Sequence, residues 1–199
     1  MGVTVRTTLI DSVLEAWSKT IQIESCVDIG GSGGTDWLAR NFPHVTHHLI
    51  DVKPESGELH EYKRMGVDAK YYEVDASKDI DGLGLSAMSN YLLKIDVDGP
   101  ELSVIENSPQ TVRNASMLIC EATTWTISAR LSFIESMGLK LVEIGGPCYY
   151  YNRLWQVELV FVREDLYPDW PFEGNTCDRR YYQCADDHRS TNCSQSHAG

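Results

Sequence analysis

The order of apolar segments along the chain constrains the fold more than any other feature of the sequence. Between residues 10 and 137, short apolar runs typical of buried strands alternate with segments whose apolar residues recur at helical spacing. This alternation predicts an α/β protein with a mainly parallel sheet and helices on both faces. The last two apolar runs have no helix between them, so we expect them to form an antiparallel hairpin at the sheet edge.

Seven strands and five helices are predicted. The strands cover residues 25–31, 46–52, 69–77, 91–97, 116–122, 139–146 and 154–162. The helices cover residues 10–17, 35–42, 57–66, 100–107 and 126–137. Thr35 is expected to cap the second helix, and Pro100 to occupy the first position of the fourth. A turn around residues 145–153 would join the last two strands.

The apolar pattern ends near Pro168, which predicts a single domain over residues 1–172 and a polar tail over residues 173–199. Three of the six cysteines lie in this tail, at a spacing that matches no paired zinc motif. A tail of this composition is expected to lie outside the packed domain.

Net charge excludes one large class of function. The chain has 29 acidic and 17 basic residues and a formal net charge of -12. Tight binding to nucleic acid needs clustered Lys and Arg, so nucleic acid is not an expected partner. No apolar run is long enough for a membrane span and no signal pattern is present, which predicts a cytoplasmic protein without membrane contact.

The segment VDIGGSGGTD places a glycine-rich loop after the first predicted strand. Glycines permit a tight turn and a close approach of backbone to ligand. Because residue 32 is Ser, the dinucleotide pattern G-x-G-x-x-G cannot start at Gly30, and a phosphate-binding G-x-x-x-x-G-K-[ST] is also missing. Asp51 follows about 20 residues later, where an acid can accept hydrogen bonds from a ribose diol.

Each of the five predicted parallel strands carries an acid at or near its carboxyl end: Asp28, Asp51, Asp75, Asp96 and Glu121. In open sheets of this type, ligands bind beyond these strand ends. Five acids together predict a binding cleft for a cationic ligand that also donates hydrogen bonds from hydroxyl and amine groups. S-adenosylmethionine (SAM) is such a ligand, since it has a sulfonium, an ammonium and a ribose diol but no phosphate.

Over roughly residues 24 to 165 the chain resembles the FkbM-type branch of class I methyltransferases. The resemblance rests on CVDIGGSGGTDWLARNFP, LIDVKPE, EVDAS, LWQVELVFVRED and above all LLKIDVDGPELSVIEN. It implies the Rossmann-like class I methyltransferase fold, SAM as cofactor and methyl transfer to an acceptor. The family segment has Glu where Asp98 stands and Ala where Pro100 stands. The connection between the third and fourth strands is short and little precedes the first strand, and family members often carry substrate-recognition elements in these places, so the acceptor is left open.

The resemblance also implies which residues bind the cofactor. The methionine end would lie against Asp28 and the glycine loop, the ribose against the end of the second strand, and adenine against the end of the third. Asp96 would line the methyl-transfer cleft, and Asp98 and Glu101 would lie at the entrance of this cleft. The cofactor-binding residues implied are Asp28, Gly30, Gly31, Ser32, Gly34, Asp51, Val52, Asp75, Ala76 and Asp96.

The expected reaction is O-methylation of a small-molecule or glycan acceptor, with Asp96 and Glu121 as catalytic residues. Asp96 can serve as a base or can order the following loop by accepting backbone N–H groups. Strand-end acids look alike with or without a metal. Mg²⁺ bound by Asp96, Asp98 and Glu121 is therefore a further possibility, and no metal is assigned.

Three other classes of function are left open. The Asp96-Val97-Asp98 pair can hold a metal ion in a nucleotide-sugar glycosyltransferase. A nicotinamide-dependent oxidoreductase fits the loop spacing poorly. A cofactor-binding module without turnover is the third, and oligomeric state is not predicted.

Overall fold

The computed structural model describes residues 8–53 and 61–166. Within these ranges seven strands form one sheet in the order β3-β2-β1-β4-β5-β7-β6. The strands are β1 (Ser25–Ile29), β2 (Thr46–Asp51), β3 (Ala69–Glu73), β4 (Tyr91–Ile95), β5 (Met117–Thr123), β6 (Leu139–Tyr150) and β7 (Arg153–Arg163). The predicted tail, residues 173–199, lies outside the described residues.

Strand direction divides the sheet into two parts. Strands β1 to β5 pair in parallel, whereas β7 is antiparallel to both β5 and β6. The mainly parallel sheet and the C-terminal antiparallel hairpin are therefore confirmed. Because β1 lies between β2 and β4, the strand order reverses beside β1, and the crevice at this reversal is where ligands bind in open α/β sheets.

Six helices cover the two faces of the sheet in the described residues. They are α1 (Thr8–Ser18), α2 (Asp36–Asn41), α3 (Glu61–Met65), α4 (Glu101–Asn107), α5 (Pro109–Asn114) and α6 (Ile127–Ser136). Helix α5 was not predicted, because six residues are too few for a clear periodic pattern. Part of the helix predicted over 57–66 lies outside the described residues. None of the helices described is both long and apolar enough to span a membrane.

Alternating strand residues supply the two halves of the core. On one face Leu14 of α1 and Leu38 of α2 are buried with Cys26 and Leu92. On the other, residues of α4, α5 and α6 are buried with Val27, Leu93 and Leu118. Successive residues of a strand point to opposite faces, so both faces of β1 and β4 are apolar until charged residues begin near their carboxyl ends.

The β6–β7 hairpin corrects one prediction. The turn expected over residues 145–153 is only Tyr151-Asn152, with φ of 47° and 60°, the left-handed values of a two-residue hairpin turn. Residues Gly145–Cys148 stay in β6 and produce register shifts against β7. Gly and Pro in an edge strand can form a bulge instead of ending the strand, which is why the sequence pattern was misread.

Candidate active site

The glycine-rich loop, residues 30–34, lies directly against the carboxyl edge of the sheet. A Cβ at Gly30 would overlap the Asp96 carbonyl oxygen, and one at Gly34 would overlap the Tyr62 ring. Both glycines also have positive φ, 83° and 110°. A side chain at either position would therefore force the loop away from the strand ends.

Asp28, near the carboxyl end of β1, holds this loop in place through hydrogen bonds. Its fully buried carboxylate accepts hydrogen bonds from the Thr35 N–H (2.9 Å), the Thr35 hydroxyl (3.1 Å) and the Tyr62 hydroxyl (2.8 Å). A Cβ at Gly31 would overlap the same carboxylate. Thr35 does precede α2, as expected of a cap, but its hydroxyl bonds to Asp28 and not to the helix backbone. Asp28 therefore shapes the loop from within the protein.

Tyr62 is completely buried in α3 and joins Asp28 to the loop. Burial raises the pKa of its hydroxyl, and the neighbouring Asp28 carboxylate raises it further. The hydroxyl therefore stays protonated and remains a donor to Asp28.

Asp51 ends β2 and reaches across to the loop. Its carboxylate accepts a hydrogen bond from the Ser32 N–H at 3.3 Å and another from the Lys53 N–H at 2.8 Å. Val52, the next residue, is 58% exposed. The structure thus brings Ser32 and Asp51 together at one edge of the crevice beside β1.

Asp75 and Ala76 follow β3 at the same edge of the sheet. The N–H of Val74 donates to the Asp51 carbonyl oxygen at 2.9 Å, which holds this segment beside the end of β2. The Asp75 carboxylate accepts from the Ser77 hydroxyl (2.6 Å) and N–H (3.1 Å), and these hydrogen bonds lower its pKa. Ala76 is buried and presents a small apolar surface.

A cluster of carboxylates lies just after β4, at the start of α4 and on the facing parts of β5 and β7. It comprises Asp96, Glu101, Glu121 and Glu158, here called the acidic cluster. Ligand oxygens of the first three lie within 4.8 Å of one another. Glu121 and Glu158 are directly opposite each other in the β5–β7 pairing. Gln156 donates to Glu121 Oε2 at 2.9 Å. The two residues predicted to be catalytic, Asp96 and Glu121, are therefore neighbours.

Two members of the acidic cluster have strongly raised pKa values. Burial raises the pKa of Glu121 to about 8, and Asp96, Glu158 and Glu101 add to the shift. Burial also raises the pKa of Glu158 to about 7; Lys94 opposes this shift and Asp96 reinforces it. Glu158 Oε2 is buried and has no hydrogen-bond partner among the described residues. Both carboxyls can therefore take up or release a proton near neutral pH.

Glu101 has a different environment from the other members of the cluster. It is fully buried, forms an ion pair with Arg130 and accepts hydrogen bonds from the N–H groups of Gly99 (2.9 Å) and Val97 (3.4 Å). Arg130 also donates to the Glu121 carbonyl oxygen. Glu101 thus orders the loop after β4, one of the two functions considered for Asp96.

Asp98 lies outside the acidic cluster. Asp98 is exposed, with φ of 55°. It was considered as a Mg²⁺ ligand together with Asp96 and Glu121, but the third carboxylate beside these two is that of Glu101. Asp96 is itself paired with Lys94 at 3.0 Å. Of the two aspartates in the D-x-D sequence, only Asp96 belongs to the group of carboxylates close enough together to hold a metal ion. Pro100 precedes α4 and is not its first residue.

Sequence reasoning missed three residues of this region: Tyr62, Lys94 and Glu158. Lys94 and Glu158 each interrupt an apolar strand, in YLLKI and VELVFV. A charged residue inside a buried strand requires a partner of opposite charge or a shifted pKa. That rule could have identified both. Tyr62 gives no such signal, because a helical Tyr is most simply a core residue.

The strand order and the antiparallel seventh strand are those of the Rossmann-like methyltransferase fold. Magnesium protoporphyrin IX methyltransferase from Synechocystis PCC 6803, crystallised with bound SAM, matches 77% of this chain and 76% of its own, with 13% identity and a TM-score of 0.52. A Listeria monocytogenes serotype 4b protein described as uncharacterized matches 76% and 66%, with 11% identity and a TM-score of 0.53. No family model and no curated protein sequence matches the chain.

Proposed function

We propose that the protein is a cytoplasmic SAM-dependent methyltransferase of the FkbM type, acting on a hydroxyl of a small molecule or sugar. One observation carries the proposal. The glycine-rich loop, Asp51, Asp96 and Glu121 all lie at or near the carboxyl ends of the parallel strands, at the edge where the strand order reverses. In open α/β sheets, ligands bind at this edge, which supports the proposal.

The cofactor would lie along this edge. The backbone of residues 30–34, supported by Asp28, would hold the methionine end of SAM. Asp51 would accept hydrogen bonds from the ribose hydroxyls, with Val52 beside them. Adenine would lie against the segment of Asp75 and Ala76. SAM carries positive charge on sulfur and nitrogen, which matches an edge built from carboxylates.

The acceptor would approach from the side of Asp96 and Glu121. Bound SAM would supply the methyl group: the acceptor oxygen would bond to the methyl carbon, and the electron pair of the broken carbon–sulfur bond would stay on sulfur, which leaves S-adenosylhomocysteine (SAH). The acceptor proton passes to a carboxylate of the acidic cluster. A base with a pKa near the working pH is the most efficient, and Glu121, with a pKa of about 8, meets this condition. Alignment of donor and acceptor supplies most of the remaining rate enhancement.

Exposed aromatic side chains beside the acidic cluster favour an organic acceptor. Trp125 and Trp155 are 64% and 40% exposed and pack edge to face, with ring centroids 4.7 Å apart. The Thr124 N–H donates to the Trp155 carbonyl oxygen at 3.0 Å, so the pair lies just beyond Glu121. Faces of aromatic rings are suited to stacking against a sugar or a planar ring.

Transfer of a labelled methyl group tests this function. The protein would be incubated with methyl-labelled SAM and a panel of monosaccharides, glycans and phenols. We expect at least one acceptor to be labelled, and Asp96→Asn and Glu121→Gln to lower the rate by about 10²- to 10⁴-fold. Glu106→Gln, an exposed charge change on α4, is the matched control.

The outcomes separate the alternatives. Folded protein that binds SAM but labels no acceptor would favour the cofactor-binding module without turnover. Labelling of amines and not hydroxyls would replace O- by N-methylation. Failure to bind SAM, together with Mn²⁺-dependent binding of a nucleotide-sugar, would contradict the methyltransferase proposal.

A further inference from the structure

Lys94 is a buried cation between the two halves of the candidate site. It lies in β4 with 3% of its surface exposed, between Leu93 and Ile95. Its ammonium is 3.0 Å from Asp96 Oδ2 and 3.5 Å from Asp28 Oδ1. Burial works against the charged form, but these two carboxylates outweigh it and raise the pKa of Lys94 above its ordinary value. The two carboxylates therefore favour the charged form of this buried side chain.

The two partners of Lys94 belong to different parts of the site. Asp28 is directly opposite Lys94 in the β1–β4 pairing and supports the glycine-rich loop through Thr35. Asp96 belongs to the acidic cluster, and its carbonyl oxygen lies directly beneath Gly30. The Lys94 ammonium thus links the Asp28 carboxylate, which supports the glycine-rich loop, to the Asp96 carboxylate of the acidic cluster.

Lys94 also affects a third carboxyl. It lowers the pKa of Glu158, against burial and Asp96, which both raise it. Glu158 is opposite Glu121 across β5 and β7. The positive charge of Lys94 therefore acts on one of the two carboxyls with pKa values raised toward neutrality.

We propose that Lys94 is a positioning residue for methyl transfer, which holds the Asp96 carboxylate in a fixed relation to the cofactor loop through Asp28. The inference rests on the proposed function, in which the glycine-rich loop binds the cofactor and Asp96 lies beside the acceptor. A purely structural Lys94 would contribute to stability and, through its charge, to the pKa of Glu158. A positioning Lys94 must also affect cofactor affinity.

The test uses Lys94→Met, which keeps most of the side-chain length and removes the charge. The control is Lys70→Met, a loss of one exposed lysine from β3. Affinity for SAH would be measured by calorimetry, and the pKa of Glu158 by NMR of ¹³C-labelled glutamate carboxyls, with Glu158→Gln to assign the signal. For Lys94→Met we expect SAH affinity to fall on the order of tenfold or more and the pKa of Glu158 to rise above about 7. Lys70→Met should change neither.

If Lys94→Met does not fold, the double variant Lys94→Met/Asp96→Asn removes one charge of each sign and is measured instead. A loss of SAH affinity of the same order is expected. The pKa of Glu158 should change less than in Lys94→Met, because the Asp96 charge that raises it is removed as well. Unchanged SAH affinity in a folded variant would overturn the inference, whatever the pKa of Glu158. Absence of SAH binding by the unsubstituted protein would instead contradict the proposed function.

Discussion

Glu121 and Glu158 are directly opposite each other on β5 and β7, and both have pKa values raised toward the neutral range. Two carboxyls facing each other in a half-buried position destabilise each other when both are ionised. The fold keeps this unfavourable pair at the edge where the acceptor would bind. Strain of this kind is common at functional sites, because groups with shifted pKa values are the ones that transfer protons.

The first prediction concerns stability and pH. A carboxyl whose folded pKa lies above its unfolded value releases its proton more readily when the chain unfolds. Stability from Glu158 is therefore fully present below about pH 4.5 and is lost as the pH rises through about 7. We expect the free energy of unfolding to fall by about 1 to 3 kcal/mol between pH 5 and 8 from this group.

Urea unfolding at several pH values would measure this effect. Glu158→Gln should flatten the pH dependence, since an amide does not titrate. Glu106→Gln, on the exposed side of α4, should leave it as in the unsubstituted protein. A Glu158→Gln variant with an unchanged pH profile would show that the raised pKa is not a property of the folded protein.

The second prediction concerns the stability contribution of Lys94. Lys94→Met leaves Asp96 without its partner at 3.0 Å and Asp28 without its cation. Removing one member of a buried ion pair typically costs about 3 to 5 kcal/mol. Denaturant unfolding of Lys94→Met should show a loss of this size. Adding Asp96→Asn should recover part of it, and a larger loss in the double variant would argue against a direct ionic contact.

The third prediction concerns the glycine-rich loop. Gly34→Ala would place a methyl group on the Tyr62 ring and force a positive φ on a residue with a side chain. We expect a loss of about 2 to 5 kcal/mol in unfolding free energy and loss of SAH binding. Gly82→Ala is the matched control, since a Cβ there meets nothing within 4 Å. It should change stability by no more than about 0.5 kcal/mol.

The fourth prediction compares two tyrosine hydroxyls. Tyr62 donates to the buried Asp28 carboxylate at 2.8 Å, whereas the Tyr72 hydroxyl bonds to neutral His48 Nδ1 at 3.0 Å in a partly buried position. Tyr62→Phe should cost about 1.5 to 3 kcal/mol, because it removes a hydrogen bond to a charged group. Tyr72→Phe should cost about 0.5 to 1.5 kcal/mol. Equal losses in thermal unfolding would contradict a special contribution of the Tyr62–Asp28 hydrogen bond.

The sequence was sufficient to predict the sheet. Apolar runs such as CVDI and LLKI mark strands buried on both faces, and their alternation with helices determines parallel pairing. The acids at the strand ends could also be placed at one edge, since parallel strands all end on the same side. The contact between Ser32 and Asp51 confirms that two of these ends meet.

Long-range contacts could not be predicted in the same way. Lys94 lies in a run that reads as apolar on average, and its two partners are 66 residues and 2 residues away in sequence. Glu158 meets Glu121 only through the register of β5 and β7. The hairpin turn was misplaced because Gly145–Cys148 resembles a turn locally, although pairing with β7 keeps it in the strand. These features depend on which strands become neighbours, which local patterns do not encode.

Calorimetric titration of the protein with SAH, in parallel with the Asp51→Ala variant, tests the proposed cofactor most directly. The unsubstituted protein should bind one SAH per chain with micromolar affinity. Asp51→Ala should weaken binding on the order of tenfold to a hundredfold, because the ribose loses a charged acceptor. No heat of binding from a protein shown to be folded, or equal affinity in the variant, would contradict a SAM site at the ends of β1 and β2.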